Sequence, residues 1–128
     1  MRLLLDTSVL IDALRLRHHR RELLAELVRA GHTLVTTALN VAEVYAGMRP
    51  EETQRTEALL SALDCYDLTG KSARRAGALK QQWARKGRTL TLADMIVAAI
   101  ASELGCTVMT DNRKDFPMEE LVKFDLPA

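Results

Sequence analysis

The sequence predicts an α/β fold, a three-layer sandwich with a mainly parallel central sheet flanked by helices, and three observations predict it. Short leucine-rich or β-branched runs alternate along the chain with longer segments whose apolar residues recur at helical intervals. Single acids stand where the predicted strands end, the edge of an α/β sheet on which ligands bind. The length of 128 residues suits one domain with one core, and residues 1–128 contain no linker, repeat or low-complexity tract.

Each element has its own reason. Leu3 to Leu5 reads as a short buried strand with Asp6 at its carboxyl end, and "TSVLIDAL" then spaces Val9, Leu10, Ala13 and Leu14 as a helix does. A second helix runs through "RRELLAELVRAG", turning Leu23, Leu24, Leu27 and Val28 inward and stopping at Gly31. "HTLVTTA" is a β-branched strand. "LNVAEVYAGM" is helical by the spacing of Val41, Val44, Tyr45 and Met48, which puts Glu43 in its first turn. Pro50 ends that helix ahead of another through "EETQRTEALLSAL". "CYDL" gives a third strand, Gly70 to Gly87 a long basic helix, Leu92 to Leu104 an apolar helix, and "CTVMT" a fourth strand running to Asp111. In the tail, Val122 to Phe124 reads as a final short strand.

Hydrophobic residues at 48% and charged residues at 27% describe a globular protein rather than a disordered or membrane chain. The opening apolar run stops at Asp6, too short for a signal peptide, and no run nears the ~18 residues of a membrane span. A cytoplasmic protein without a membrane partner is expected. Cys65 and Cys106 lack metal or disulfide spacing and are expected as small core hydrophobes. The net charge of +1 conceals an uneven pattern, with bases gathered in "RLRHHRR" and "KSARRAGALKQQWARKGR" and several acids alone among apolar residues.

Asp94, in "TLADMIVAAIA", poses the question most sharply, since no basic residue stands beside it to neutralise its charge. Taken singly, each such acid has a structural reading as a helix cap. Thr91 to Asp94 and Asn40 to Glu43 both have capping-box spacing, and Asp6 with Thr7 and Ser8 suits a cap for the first helix. Taken together the acids carry a different weight: Asp6 and Asp111 fall at strand carboxyl ends, on the edge where α/β sheets bind ligands, and carboxylates ~4 Å apart would raise one another's pKa or demand a counter-cation. Oxygen ligands without histidine or thiolate point to Mg²⁺ or Mn²⁺. Asp115 follows Asp111 by four residues, so one helical turn would aim both carboxylates alike.

The motifs "LLLDTSVLIDAL", "TTALNVAEVYAG", "LADMIVAAIA" and "VMTDNRKDF" resemble, in order and over nearly the whole chain, those of the PIN domain, in particular the VapC-type toxins of prokaryotic toxin–antitoxin pairs. The resemblance implies a metal-dependent ribonuclease with Asp6, Glu43 and Asp94 as its first three acids. The last motif maps onto Thr110, Asn112, Asp115 and Phe116, leaving Asp111 as an additional acid and a competing candidate for the fourth metal position. Small hydroxyl residues of the family are matched by Thr7 or Ser8 and by Thr110. A VapB-type antitoxin that wraps the protein and a homodimer with two active sites in one groove are further implications.

In that reading Mg²⁺, with Mn²⁺ able to substitute, activates water for phosphodiester hydrolysis. Asp6 and Asp94 are the first choice as direct ligands, with Glu43 and Asp115 holding bound waters or a second ion. Arg74, Arg75, Lys80, Arg85, Lys86 and Arg88 are candidates to track the RNA backbone, although each alone also reads as part of a solvated helix face. His18 and His19 read as exposed side chains, and Trp83 as a packing residue with a lesser claim to base stacking. Asn112 is expected to cap the turn that leads to Asp115. Two rivals are a phosphoacceptor receiver-like signalling domain and a non-catalytic PIN-like RNA-binding module. A receiver would pair acids at the end of its first strand, where Thr7 follows Asp6 here, and a binding module would not need to retain every acid.

Overall fold

Successive residues of a strand face opposite ways, and in this protein that alternation divides the core between the two faces of a sheet. The computed structural model describes residues 1–127. In chain order the elements are β1 (Arg2–Leu5), α1 (Thr7–Leu14), α2 (Arg20–Arg29), β2 (Thr33–Thr37), α3 (Ala38–Ala46), α4 (Thr53–Ser61), β3 (Asp64–Tyr66), α5 (Gly70–Arg85), α6 (Leu92–Leu104) and β4 (Thr107–Met109). Short 3₁₀ turns lie at Pro50–Glu52 and Arg113–Asp115. Leu4, Val35 and Val108 face α5 and α6, packing with Met95, Ile100 and Phe116. Leu3, Leu5, Leu34 and Met109 face the other way, against Val9, Leu10, Leu24 and Val44 from α1 to α3.

All four strands are parallel, in the order β3-β2-β1-β4, with Leu4 opposite Val35 on one side and Val108 on the other. The chain steps outward from β1 to β3 and then returns to the far side of β1. Its connections therefore change face between β1 and β4, and a crevice opens beyond the carboxyl ends of those two strands, as it does at the switch point of any such sheet. The backbone N–H of Asp6 donates to the carbonyl of Met109 at 3.0 Å and holds the two strand ends together.

The two-layer covering and most elements follow the sequence reading, and the departures have physical causes. Val28 is 55% exposed and Tyr45 37% exposed rather than inward. Val28 lines an open apolar groove of about 670 Å³ between α1, α2 and α4, so its helix has a neighbour on one flank only. Cys106 is buried as expected, but Cys65 is exposed because it lies in the three-residue edge strand β3. α3 begins at Ala38 because Thr37 caps it, so Glu43 falls in the second turn and Asn40 to Glu43 forms no capping box. β4 ends at Met109, leaving Asp111 on a bend beyond the strand. The tail makes a single bridge between Lys123 and Val108 rather than a strand. Gly31 and Gly105, with φ of +93° and +67°, end α2 and α6 in the left-handed region that glycine tolerates.

Candidate active site

Asp6 follows the last residue of β1 and occupies the cap position of α1, yet its side chain caps nothing. Its carboxylate turns into the crevice and accepts from Thr110 Oγ1 at 2.8 Å and from Asn40 Nδ2 at 3.3 Å. The Thr110 hydroxyl also accepts the backbone N–H of Asn112 at 3.0 Å, which ties the segment after β4 to the same acid. Asp6 is only 6% exposed, and burial, partly offset by the Thr110 hydroxyl, raises its carboxyl above the usual aspartate range.

Asn40 is the hub that the sequence reading missed. Fully buried, it accepts from Thr37 Oγ1 at 2.6 Å and donates to both Asp6 and Thr7, the latter at 3.0 Å. Thr7 in turn donates to Glu43 Oε1 at 2.7 Å and fixes that exposed carboxylate against α1. The available signal was an amide sitting at a strand-to-helix junction three residues before an acid, but its spacing read equally well as a cap. Replacing Asn40 with Ala is expected to destabilise the protein by about 1–3 kcal/mol, since the hydroxyls of Thr37 and Thr7 lose a buried partner. A urea midpoint unchanged from wild type would remove Asn40 from this role.

Thr91 caps α6 by accepting the Asp94 backbone N–H at 3.1 Å, so one half of the predicted capping box forms. The Asp94 side chain is half-buried, and burial raises its carboxyl from the usual value; the Thr91 hydroxyl counters part of this, and Asp6, Asp115 and Glu43 push it further up. Four acids from separate segments thus share one electrostatic field, and among the described residues none has a basic group within ion-pair distance. Asp115 ends the 3₁₀ turn, which is anchored by the fully buried Phe116 beside it. Asn112 occupies the cap position of that turn without capping it by its side chain.

Asp111 turns elsewhere. Its Oδ1 accepts from Arg20 Nη2 at 3.1 Å, and Arg20 is itself 3% exposed, a burial that its place in a run of six bases and one leucine does not suggest. Asp111 also approaches Asp12, whose carboxyl is raised by burial first and by Asp111 next. Ser8 serves this neighbour rather than the acids, accepting the Asp111 backbone N–H at 3.4 Å.

Four of the six candidate RNA-binding cations have partners inside the protein. Arg75 reaches Ser102 Oγ at 3.2 Å, Lys80 the carbonyl of Leu90 at 2.7 Å and Arg88 the carbonyl of Lys114 at 2.5 Å. Lys86 lies over the Trp83 ring at 4.4 Å, and that ring packs against the core. Arg74 and Arg85 are exposed, as are His18 and His19.

Residues 3–118 match the PIN domain family. Ribonuclease VapC19 of Mycobacterium tuberculosis is 32% identical over 115 residues, covering 90% of this chain and 92% of the relative. Ribonuclease VapC10 of the same organism is 31% identical over 121 residues, 94% of this chain and 90% of the relative. Among solved structures, a toxin–antitoxin complex from Klebsiella pneumoniae is similar with a TM-score of 0.78 and 27% identity, covering 94% of this chain and 96% of that one. DNA-bound VapBC from Salmonella typhimurium shares the fold with a TM-score of 0.82 at 22% identity, covering 99% of each chain.

Proposed function

The chain belongs to the PIN domain family, and from that premise we propose that it is a metal-dependent endoribonuclease, the toxin of a toxin–antitoxin pair. The observation that carries the reading is that Asp6, at the end of β1 where the sheet's connections change face, bears with Glu43 and Asp115 on the carboxyl of Asp94, and none of the four has a paired cation among the described residues. Relatives named as ribonucleases support RNA as the substrate, and neighbours solved as toxin–antitoxin complexes support a cognate VapB-type antitoxin as partner. A homodimer is part of the same reading, and sedimentation of the isolated protein tests it. Among the described residues no helix is long and apolar enough to cross a membrane.

The donor set suits Mg²⁺, with Mn²⁺ as a substitute, because it offers carboxylate oxygens and neither imidazole nor thiolate. Among the described residues, no three acid, histidine or cysteine side chains already stand close enough to grip one ion. Mg²⁺ does not require that, since it retains several waters and takes one or two protein carboxylates. Asp6 and Asp94 would hold it directly, with Glu43 and Asp115 acting through water. When bound, the ion supplies Lewis-acid polarisation of the phosphate and a water acidic enough to react at neutral pH.

The chain's own residues do the positioning. Thr110 and Asn40 orient the Asp6 carboxylate, and Thr7 holds Glu43 where an exposed carboxylate can take a proton from an attacking water. Attack by water leaves the neighbouring 2′-OH unused, so the products should carry 5′-phosphate and 3′-hydroxyl ends. End-group analysis of RNA cut by the purified protein tests this, and 2′,3′-cyclic phosphate ends would rule the reading out.

Asp115 supports the fourth acid position better than Asp111, because it contributes to the field at Asp94 while Asp111 is paired with Arg20. Asp115→Asn is expected to lower Mn²⁺ affinity and cleavage by about tenfold or more, the scale of groups that orient metal ligands. Asp111→Asn should instead show its main effect as lost stability, since it weakens a partner of the buried Arg20. Mn²⁺ titration and urea denaturation of the two variants separate the roles. A larger loss of Mn²⁺ affinity in Asp111→Asn would reverse the assignment.

A further inference from the structure

A polyanion approaching four unpaired acids needs cations to hold it, and most of the bases on and after α5 are already engaged with the protein itself. A different set is free. At the far end of α1, a surface pocket of about 270 Å³ is lined by Arg15, Arg17, Arg49 and Arg55, with Leu14 and Leu16 as its apolar wall. Its one acid, Glu52, is spent: Oε1 accepts the Arg49 backbone N–H at 2.9 Å and Oε2 accepts from Arg15 Nε at 3.3 Å. Among the described residues, the guanidinium groups of Arg17, Arg49 and Arg55 pair with no carboxylate, and all three side chains are exposed.

Two helices lead from the pocket to two of the acids, Asp6 at the start of α1 and Glu43 on α3. α1 begins next to Asp6 and Thr7 and runs eight residues, about 12 Å, to Arg15. α3 carries Glu43, and the carbonyl of Gly47 just beyond it accepts from Arg15 Nη2 at 3.4 Å. Arg49 lies two residues further on. Arg15 at the base of the pocket is therefore one short helix from Asp6, a separation that a short stretch of single-stranded RNA can span. Arginine suits such a track because its planar fork takes phosphate oxygens in pairs.

We propose that Arg17, Arg49 and Arg55, with Arg15 at the base of the pocket, form a phosphate-binding subsite for the single-stranded RNA backbone a few nucleotides from the cleavage site. This rests on the ribonuclease reading, and the experiment separates the two. Binding of a fluorescein-labelled single-stranded oligoribonucleotide is followed by anisotropy in EDTA across a salt series. The proteins compared are wild type, Arg17→Gln, the Arg49→Gln/Arg55→Gln double variant, and an Arg74→Gln/Arg85→Gln double variant on α5. Each pocket arginine removed should weaken binding roughly two- to fivefold, as exposed ion pairs do. Each should also flatten the log–log salt slope by roughly 0.7.

Hydrolysis of bis(p-nitrophenyl) phosphate with Mn²⁺ reports the acids alone, because a diester held at the acids is too short to span to the pocket, and it should be unchanged in all variants. Wild-type RNA affinity and salt slope in the pocket variants, with the small diester still hydrolysed, would overturn the subsite and leave the nuclease standing. If wild type hydrolyses neither RNA nor the diester, the nuclease reading fails and the anisotropy alone decides the pocket. Loss of affinity for a polyglutamate peptide with RNA binding intact would overturn the subsite in favour of an acidic protein segment.

Discussion

Asp94→Asn is expected to abolish RNA cleavage while leaving the metal-free protein as stable as wild type or more so. Removing one preorganised charge from a site of this kind lowers turnover by about 10²-fold or more. Stability moves the other way because the Thr91 cap uses the backbone N–H of Asp94 and survives the change, while one of four mutually repelling charges disappears. The pH dependence provides a second signature. The Asp94 carboxyl sits above its ordinary value of 3.8 in the folded protein, so the metal-free fold carries the full cost of the charge at neutral pH. That cost is relieved as pH falls through the folded value toward 3.8, and the variant lacks this contribution. Urea midpoints of both proteins in EDTA, measured from neutral pH downward, test the sign. A variant clearly less stable than wild type yet still active would make Asp94 a structural residue.

Chelation should be as decisive. EDTA is expected to reduce RNA cleavage to background, and Mg²⁺ or Mn²⁺ to restore it. Ca²⁺ should bind without restoring turnover, because it takes six to eight oxygens at roughly 2.3–2.6 Å where Mg²⁺ demands an octahedron at about 2.0–2.1 Å. Binding has a readout apart from activity. An ion that neutralises the acids stabilises only the folded state, by about 2.7 kcal/mol at a hundred times its dissociation constant. The melting temperature should therefore rise with Mn²⁺ in wild type and rise much less in Asp6→Asn or Asp94→Asn. Cleavage that persists in EDTA would end the metal mechanism.

What the sequence conveyed about this site depended on how local each signal was. α6 was legible to the residue because its apolar run and its Thr91 cap lie within one stretch. The start of α3 was not, because "TTALN" and "NVAE" both offer caps. What sets Asn40 apart is its pair of bonds to Asp6 and Thr7, more than thirty residues away in the chain. The role of Arg20 is hidden for the same reason: nothing in its basic run points to a partner, and only folding brings Asp111 and the carbonyl of Pro127 to its guanidinium. The bases on and just after α5 read as a cluster, but sequence does not show that Lys80 and Arg88 end on backbone carbonyls and Lys86 on a neighbouring ring.

The bridge between Lys123 and Val108 is too short to be a strand, yet it decides how the sheet meets other molecules. β4 would otherwise present bare hydrogen-bonding groups along its outer side, a template for another chain. The tail occupies that side: Val108 donates to the carbonyl of Val122 and Phe124 donates to the carbonyl of Val108, both at 2.9 Å. The opposite border, β3, is three residues long, begins at Asp64 and is followed by Asp67, and these like charges oppose edge-to-edge stacking with a second copy. A four-stranded sheet small enough to be vulnerable to fibre-like association is thus blunted at both margins, by a strap of backbone on one and by charge and brevity on the other.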